Sequence, residues 1–256
     1  MPSAPKLLPT QVQEGTASGI RYRLEGELVP ALHLALDGSM PVYFEHHVLL
    51  WKYPQVKLGL HPLRKGLVRR ALAGMPILLL QIESPGEVAF SRDAPGHVVA
   101  LHLGAGEGIQ VREHQFLAVT ENVEYTYTRQ KGYANMMFGG GFFIDQFVCT
   151  SGEGVVWLHG YGNVFEKTLE AGETIDIEPG GWLYYDHSVS MQQEAYGFKT
   201  GILSGGGSLI FNRFTGPGRV GLQSAYYHPP GSETGGGGGQ AQAPGMGGLL
   251  GGLLNN

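Results

Sequence analysis

The histidines are the side chains of this sequence best suited to metal chemistry. A strand with the pattern His-x-His can supply two ligands to one metal ion held between two strands, because alternate residues of a strand face the same side. The sequence has no such pattern, and the adjacent His46 and His47 are predicted to point to opposite faces. A second common element, Pro-x-Gly-x-x-His, is replaced by Pro179-Gly-Gly-Trp-Leu-Tyr184, with tyrosine at the ligand position. His102 and His114 could still meet across a turn, but we expect no metal and no other cofactor.

Acid–base or nucleophilic chemistry has equally little support. Glu87, Glu107, Glu153 and Glu173 recur in pairs just after turn glycines, where a carboxylate can accept backbone N–H bonds. A structural role is therefore favoured over a catalytic one. Cys149 lies in an apolar run with no basic neighbour, which is typical of a buried thiol and leaves no partner for an internal disulfide.

One electrostatic feature stands out, a basic run between residues 52 and 70. Such a run can be a solvated face, or it can contact RNA, an acidic partner or an anionic lipid surface. The net charge of -5 argues against a dedicated nucleic-acid binder, and no nucleic acid is expected as a partner. The residues predicted to contact an anion or a partner are Arg64, Lys65, Arg69 and Arg70.

The sequence that contains these residues has an internal repeat. A shift of 66 residues places Leu103–Val111 on Leu169–Ile177 without a gap, with the shared pattern Leu-x-Ala-Gly-Glu-x-Ile. Ala31–Val42 resembles Ala100–Val111 more weakly, which suggests that the N-terminal end supplies the half that a third copy lacks. The predicted units are about 73–138, about 139–204, and 205–228 together with 19–60.

The repeat is predicted to be all-β. Apolar and polar residues alternate in Glu107–Arg112, tight glycine turns separate such segments, and a charged fraction of only 15% with 42 glycines fits short strands and many turns. Residues 61–73 lack the alternation and could form one short helix. We predict an N-terminal arm (1–18), a single repeat domain (19–228) and a flexible Gly-rich tail (229–256). No transmembrane segment or targeting sequence is evident, so a cytoplasmic location is expected.

A set of motifs in fixed order resembles the altered-inheritance-of-mitochondria protein 24 family, a former domain of unknown function. The resemblance covers about residues 20–228. It implies a TRAP-like β fold, related to double-stranded β-helices, and a tendency to oligomerise, but it carries over no catalytic residue. The motifs are Phe138-Gly-Gly-Gly-Phe-Phe, Gly152-Glu-Gly-Val-Val-Trp-Leu, the repeated Leu-x-Ala-Gly-Glu-x-Ile, and Gly205-Gly-Gly-Ser-Leu-Ile-Phe-Asn-Arg-Phe-Thr-Gly-Pro-Gly218.

These observations favour a non-enzymatic oligomeric scaffold or binding protein of unknown ligand, because the repeat explains most recurrent residues without any chemistry. Large apolar residues on strands with few charges predict a homo-oligomer, with a trimer favoured over a dimer. Two alternatives remain open. One is a metal-dependent, cupin-like enzyme with degenerate ligands, and the other is a ring-type RNA-binding protein.

Overall fold

The structure, a computed structural model, describes residues 6–7, 14–62, 79–130, 142–196 and 209–225. These residues form β-strands and one short 3₁₀ turn, His46–Val48, so the all-β prediction is confirmed. The chain divides into two units: Met1–Tyr226 holds every described residue, and Tyr227–Asn256 holds none. The strands are β1 Lys6–Leu7, β2 Glu14–Ala17, β3 Ile20–Glu25, β4 Ala31–Leu36, β5 Val42–Glu45, β6 Leu49–Lys52, β7 Leu58–Leu60, β8 Leu79–Ile82, β9 Gly86–Ser91, β10 Gly96–Gly104, β11 Gly108–Arg112, β12 Phe116–Thr120, β13 Val123–Gln130, β14 Phe142–Cys149, β15 Glu153–Tyr161, β16 Val164–Leu169, β17 Thr174–Ile177, β18 Trp182–Asp186, β19 Ser190–Tyr196, β20 Leu209–Thr215 and β21 Gly218–Gln223.

The strands pair into four antiparallel sheets. We number the sheets by their order in the stack described below. Sheet 1 has the order β2-β3-β4-β9-β6, sheet 2 β10-β15-β12-β5-β8-β7, sheet 3 β1-β16-β21-β18-β11-β14-β13, and sheet 4 β17-β20-β19.

Three hydrophobic cores join the sheets into a four-layer stack. The first core contains residues of sheets 1 and 2, the second residues of sheets 2 and 3, and the third residues of sheets 3 and 4. Sheets 2 and 3 are therefore covered on both faces. Aromatic ring pairs cross each core, with centroid separations of 4.9 Å for Phe44–Phe90, 5.2 Å for Phe116–Phe147 and 5.2 Å for Tyr185–Phe214.

The sequence of each strand reflects the layer that it occupies. In sheet 2, all five residues of β12, Phe-Leu-Ala-Val-Thr, are buried, as a strand covered on both faces requires. In sheet 1, β4 reads Ala-Leu-His-Leu-Ala-Leu, with its leucines buried and the alternate residues half-buried. Alternation thus marks a sheet with one covered face, and continuous apolar runs mark the middle of the stack.

The repeat is visible in the strand pairing. The three-strand pattern β4-β9-β6 recurs as β10-β15-β12 and as β16-β21-β18, and the pattern β5-β8-β7 recurs as β11-β14-β13 and as β17-β20-β19. Strands β4–β9, β10–β15 and β16–β21 therefore form three consecutive units of one pairing pattern, and each unit lies one sheet further along the stack. Gly86, Gly152 and Gly218, which are 66 residues apart, all have positive φ at the start of β9, β15 and β21.

This arrangement corrects the expected partnership between the chain ends. Among the described residues, β20 and β21 pair with β16, β17, β18 and β19, whereas strands of residues 19–60 pair with one another and with β2, β8, β9 and β12. The N-terminal strands thus begin a first unit of their own and do not complete a third one. The physical reason is local: each unit finds its edge partners in the next unit along the chain. The exact unit boundaries and the TRAP-like arrangement stay predictions.

Several other predicted features fall outside the described residues. The short helix predicted over 61–73 lies almost wholly in the segment 63–78, and the Gly-rich tail (229–256) follows the last described residue.

Of the predicted N-terminal arm, β1 pairs with β16 and β2 pairs with β3. None of the described residues forms a helix with the length and hydropathy that a membrane crossing needs.

Candidate functional site

The four residues predicted from sequence to contact an anion, Arg64, Lys65, Arg69 and Arg70, lie outside the described residues. Of the same basic run, Lys52 and Lys57 are described. Lys52 is half-buried at the end of β6, and Lys57 is exposed just before β7.

Tyr184, which takes the position of a metal ligand in the sequence, is a core residue. Its ring is fully buried in β18, and its hydroxyl donates a hydrogen bond to the Glu166 carboxylate. Burial, together with the Glu166 charge, raises the pKa of Tyr184 well above its ordinary value. No group of three His, Cys, Asp or Glu side chains suited to a metal ion occurs in the described ranges.

The two histidines considered as a possible pair contact different carboxylates. His102 Nδ1 lies 2.7 Å from Glu153 Oε1, whereas His114 Nδ1 lies 3.4 Å from Glu45 Oε1. The two histidines therefore have separate carboxylate partners.

The sequence predicts that all four recurrent glutamates accept backbone N–H bonds at turns, and the structure shows such bonds for two of them. Glu107 Oε2 accepts a hydrogen bond from the Gly104 N–H at 2.8 Å, and Glu173 Oε2 accepts one from the Glu170 N–H at 2.9 Å. The structural role of the four glutamates stays a prediction. Cys149 is buried, as predicted.

A cluster of charged side chains that the sequence does not reveal lies where sheets 1 and 2 meet. Glu45 ends β5 and is buried, and Arg92, also buried, follows β9. His47 Nε2 and Arg92 Nη2 lie 3.3 and 3.9 Å from Glu45 Oε2, and His114 Nδ1 lies 3.4 Å from Glu45 Oε1. His114 also contacts Glu113, with Nε2 3.3 Å from Oε1. We call these five residues the Glu45 cluster.

The charges of the Glu45 cluster compensate one another. Contacts with the Glu113 and Glu45 carboxylates raise the pKa of His114 to about 10, so this histidine is cationic at neutral pH. Burial lowers the pKa of His47, which is neutral there. Two cations, His114 and Arg92, therefore face two carboxylates. The cluster balances its own charge and offers no net charge to a ligand.

A buried histidine lies beside this cluster. His159 in β15 is fully buried and its Nε2 lies 3.1 Å from the Ala94 carbonyl oxygen. Burial, reinforced by the Arg92 charge, lowers the pKa of His159 to about 4. It is thus a neutral core residue at physiological pH.

A depression lies on the outer face of sheet 1, with a volume of about 690 Å³. Trp51 lies on its wall, with its ring centroid 5.7 Å from that of His33 and 5.5 Å from that of Tyr53. Arg21 and Arg23 also line it, beside acidic residues. Mixed charge next to exposed aromatic rings suits contact with another protein surface better than capture of an anion.

Exposed apolar residues concentrate in one part of the described sequence. All the large hydrophobic side chains that are exposed in the described ranges lie between residues 28 and 60. They are Leu28, Val29, Leu50, Trp51, Tyr53, Leu58 and Leu60. We call this set the N-terminal apolar face.

Comparison with known proteins identifies the family. Residues 22–225 match the protein family described as mitochondrial biogenesis AIM24. The chain belongs to the AIM24 family. The resemblance seen in the sequence is thereby confirmed over the three strand units.

Two proteins of known sequence or structure are similar to this chain. The chain is 28% identical over 196 residues to an uncharacterised protein of Streptococcus pyogenes serotype M6, an alignment covering 73% of this chain and 75% of that protein. The X-ray crystal structure of another Streptococcus pyogenes protein matches with a TM-score of 0.62 at 23% identity, over 81% of this chain and 94% of that one. At this identity the match shows a shared fold.

Sequence reasoning missed both the Glu45 cluster and the N-terminal apolar face. The cluster joins residues that are up to 69 positions apart, and none of them belongs to a motif. The apolar face is recognised only from the exposure of its side chains in the structure.

Proposed function

We propose that this AIM24-family chain is a non-enzymatic scaffold that acts as a homo-oligomer. The observation that carries the proposal is the N-terminal apolar face. Seven large apolar side chains are exposed, all between residues 28 and 60 of the described sequence, and exposed apolar surface is typical of surfaces that contact another protein.

The position of these residues supports the proposal. Leu60 is 70% exposed and Leu58 38% exposed on β7, an edge strand of sheet 2, while Leu50 is 57% exposed on β6, an edge strand of sheet 1. Edge strands with apolar side chains associate readily with other chains unless a partner covers them. A stable homo-oligomer supplies that cover.

The buried ionisable groups support a non-enzymatic role. Catalytic acids and bases are held where a substrate can reach them, with unlike environments. Here the Glu45 cluster compensates its own charge, and the Tyr184 hydroxyl binds Glu166 within the core. Each such group contacts another group of the chain, as structural residues do.

Light scattering coupled to size-exclusion chromatography tests the oligomer. We expect a monodisperse particle whose mass is a multiple of the 27.5 kDa chain, with three copies as the first candidate. Leu60→Glu should reduce that mass, because it places a charge on the apolar face. A particle of one chain mass that persists at high protein concentration would refute the proposal.

A further inference from the structure

Two strands leave one edge open where the equivalent strands inside the chain are paired on both sides. Among the described strands, β6 pairs with β9 alone, and β17 pairs with β20 alone. The equivalents of β6 are β12 and β18, and the equivalents of β17 are β5 and β11. Within the chain, β12 pairs with β5, and β18 pairs with β11. The open edges of β6 and β17 therefore correspond to the two strands of a pairing that already occurs twice within the chain, as β12–β5 and as β18–β11.

A recurrent β-bulge shows how closely β6 follows its equivalents. The pairing register shifts between Leu49 and Trp51 in β6, and at the corresponding place in β12 and β18. The residue at the centre of the shift is a leucine in all three strands. These leucines are Leu50, Leu117 and Leu183.

The three bulge leucines differ in burial, and the difference follows the stack. Leu117 is buried in the core between sheets 1 and 2, and Leu183 in the core between sheets 2 and 3. Each therefore points toward the preceding sheet. Leu50 belongs to sheet 1, which has no preceding sheet in the described stack, and it is 57% exposed. A further sheet at this end of the stack would bury it.

The internal pairings also predict the register of the missing one. Val119 lies opposite Tyr43, and Tyr185 lies opposite Gln110. Counting from the bulge in each strand, the residue of β6 equivalent to Val119 and Tyr185 is Lys52.

In β17, the equivalent of Gln110 is Asp176, because Ile109–Phe147 and Ile175–Phe214 are corresponding pairs. The predicted register thus places a cation opposite a carboxylate, an arrangement that stabilises cross-strand pairs. Asp176 also pairs with Arg213 in its own sheet, with Nε 2.8 Å from Oδ1.

We propose that β6 of one copy of the chain pairs with β17 of a second copy, so that sheet 1 of one and sheet 4 of the other form one continuous sheet. The inference rests on the proposed homo-oligomer and specifies its interface. The interface is head-to-tail, because it joins two different surfaces. It produces a ring where the rotation between copies closes, and an open chain of copies where it does not.

Disulfide trapping tests the register directly. Residues opposite each other in an antiparallel pair have Cα atoms about 4.5–5.5 Å apart, within the range that a disulfide bridges. The natural Cys149 is buried and gives little background. We would oxidise the double variant Lys52→Cys/Asp176→Cys gently and analyse it on a non-reducing gel. The matched control is Lys57→Cys/Asp176→Cys, which moves the first cysteine out of β6 to an exposed position before β7.

Head-to-tail pairing predicts a ladder of covalent multimers for the first double variant and little cross-linking for the control. A mixture of the two single variants, Lys52→Cys and Asp176→Cys, should stop at dimers, and neither single variant should cross-link alone. As an independent measurement, Leu50→Asp should lower the particle mass while leaving the melting temperature of the chain within a few degrees.

The outcomes separate this inference from the proposed function. An oligomer by light scattering that gives no ladder, and that Leu50→Asp does not dissociate, overturns the edge pairing and leaves the scaffold proposal standing. Dimers from Lys52→Cys alone indicate a symmetric interface and also overturn it. A monomeric wild-type chain overturns both.

Discussion

Replacing Glu45 by glutamine should destabilise the protein far more than the same replacement at a similar but exposed site. The Glu45 carboxylate is only 2% exposed and faces Arg92, whose side chain is 7% exposed. Glutamine keeps the size of the side chain but removes its charge, which leaves the buried guanidinium without compensation. Removing one partner of a buried ion pair costs about 3–5 kcal/mol.

The geometry places the cost at the lower end of that range. The Arg92 Nη2–Glu45 Oε2 distance is 3.9 Å, and His47 and His114 are each nearly half exposed, so solvent compensates part of the lost charge. We expect a loss of about 3 kcal/mol, equivalent to about 6–12 °C in melting temperature for a domain of this size. Urea unfolding followed by circular dichroism measures the free energy, and a thermal melt measures the temperature shift.

The chain offers a similar control in Glu25, which contacts one arginine and one histidine, whereas Glu45 contacts one arginine and two histidines. Its carboxylate is 57% exposed, with Oε2 3.1 Å from Arg23 Nη2 and 3.3 Å from His33 Nε2. Glu25→Gln should cost less than about 1 kcal/mol, because solvent screens exposed pairs. Arg92→Met should cost less in the Glu45→Gln background than in the wild type, since the charge left behind is then removed. Equal losses for Glu45→Gln and Glu25→Gln, or additive losses in the double variant, would refute this reasoning.

Three further predictions follow from the same contacts. The folded-state pKa of His114, about 10, lies above its ordinary value of 6.5, so its stabilisation is complete below pH 6.5 and is lost as the pH rises toward 10. Because the ring is half exposed we expect a loss of about 1 kcal/mol in urea unfolding, absent in His114→Gln. His159 has a folded-state pKa lowered to about 4, so stability should fall as the pH drops from about 6.5 to about 4, and its NMR ring signals should not titrate above pH 5. Gly221→Ala should lower the melting temperature strongly, because the new Cβ would overlap the buried Tyr184 ring. Gly59→Ala should change the melting temperature little, because no atom beyond its two chain neighbours lies within 4 Å of the position of the new Cβ.

The sequence predicts the units of this fold better than their assembly. The 66-residue shift finds the strands, because turn glycines such as Gly86 and Gly152 must recur where positive φ recurs. It does not predict which sheet a strand joins, because β9 and β15 look alike in sequence yet lie in sheets 1 and 2. The sheet that a strand joins depends on its contacts with the neighbouring unit, and the local sequence pattern does not indicate those contacts.

The candidate site was less predictable still. Glutamates that close turns were found from the recurrence of Glu107 and Glu173, since their hydrogen bonds are local. The Glu45 cluster depends on contacts between separate sheets, which composition and spacing do not reveal. The exposure of Leu50 indicates an interface only when Leu50 is compared with its buried equivalents Leu117 and Leu183 in the structure.

The one-sheet step between successive units makes the molecule modular along a single direction. Strand pairing joins each unit to the next one along the chain, through β5–β12 and β11–β18, as in a linear array. The number of sheets then follows from the number of units, and adding or deleting one whole unit lengthens or shortens the stack by one layer. Loss of a strand that joins two units, such as β5 or β12, would by contrast remove the pairing between them. Gene duplication in steps of a complete unit is therefore the change in length that this architecture tolerates best.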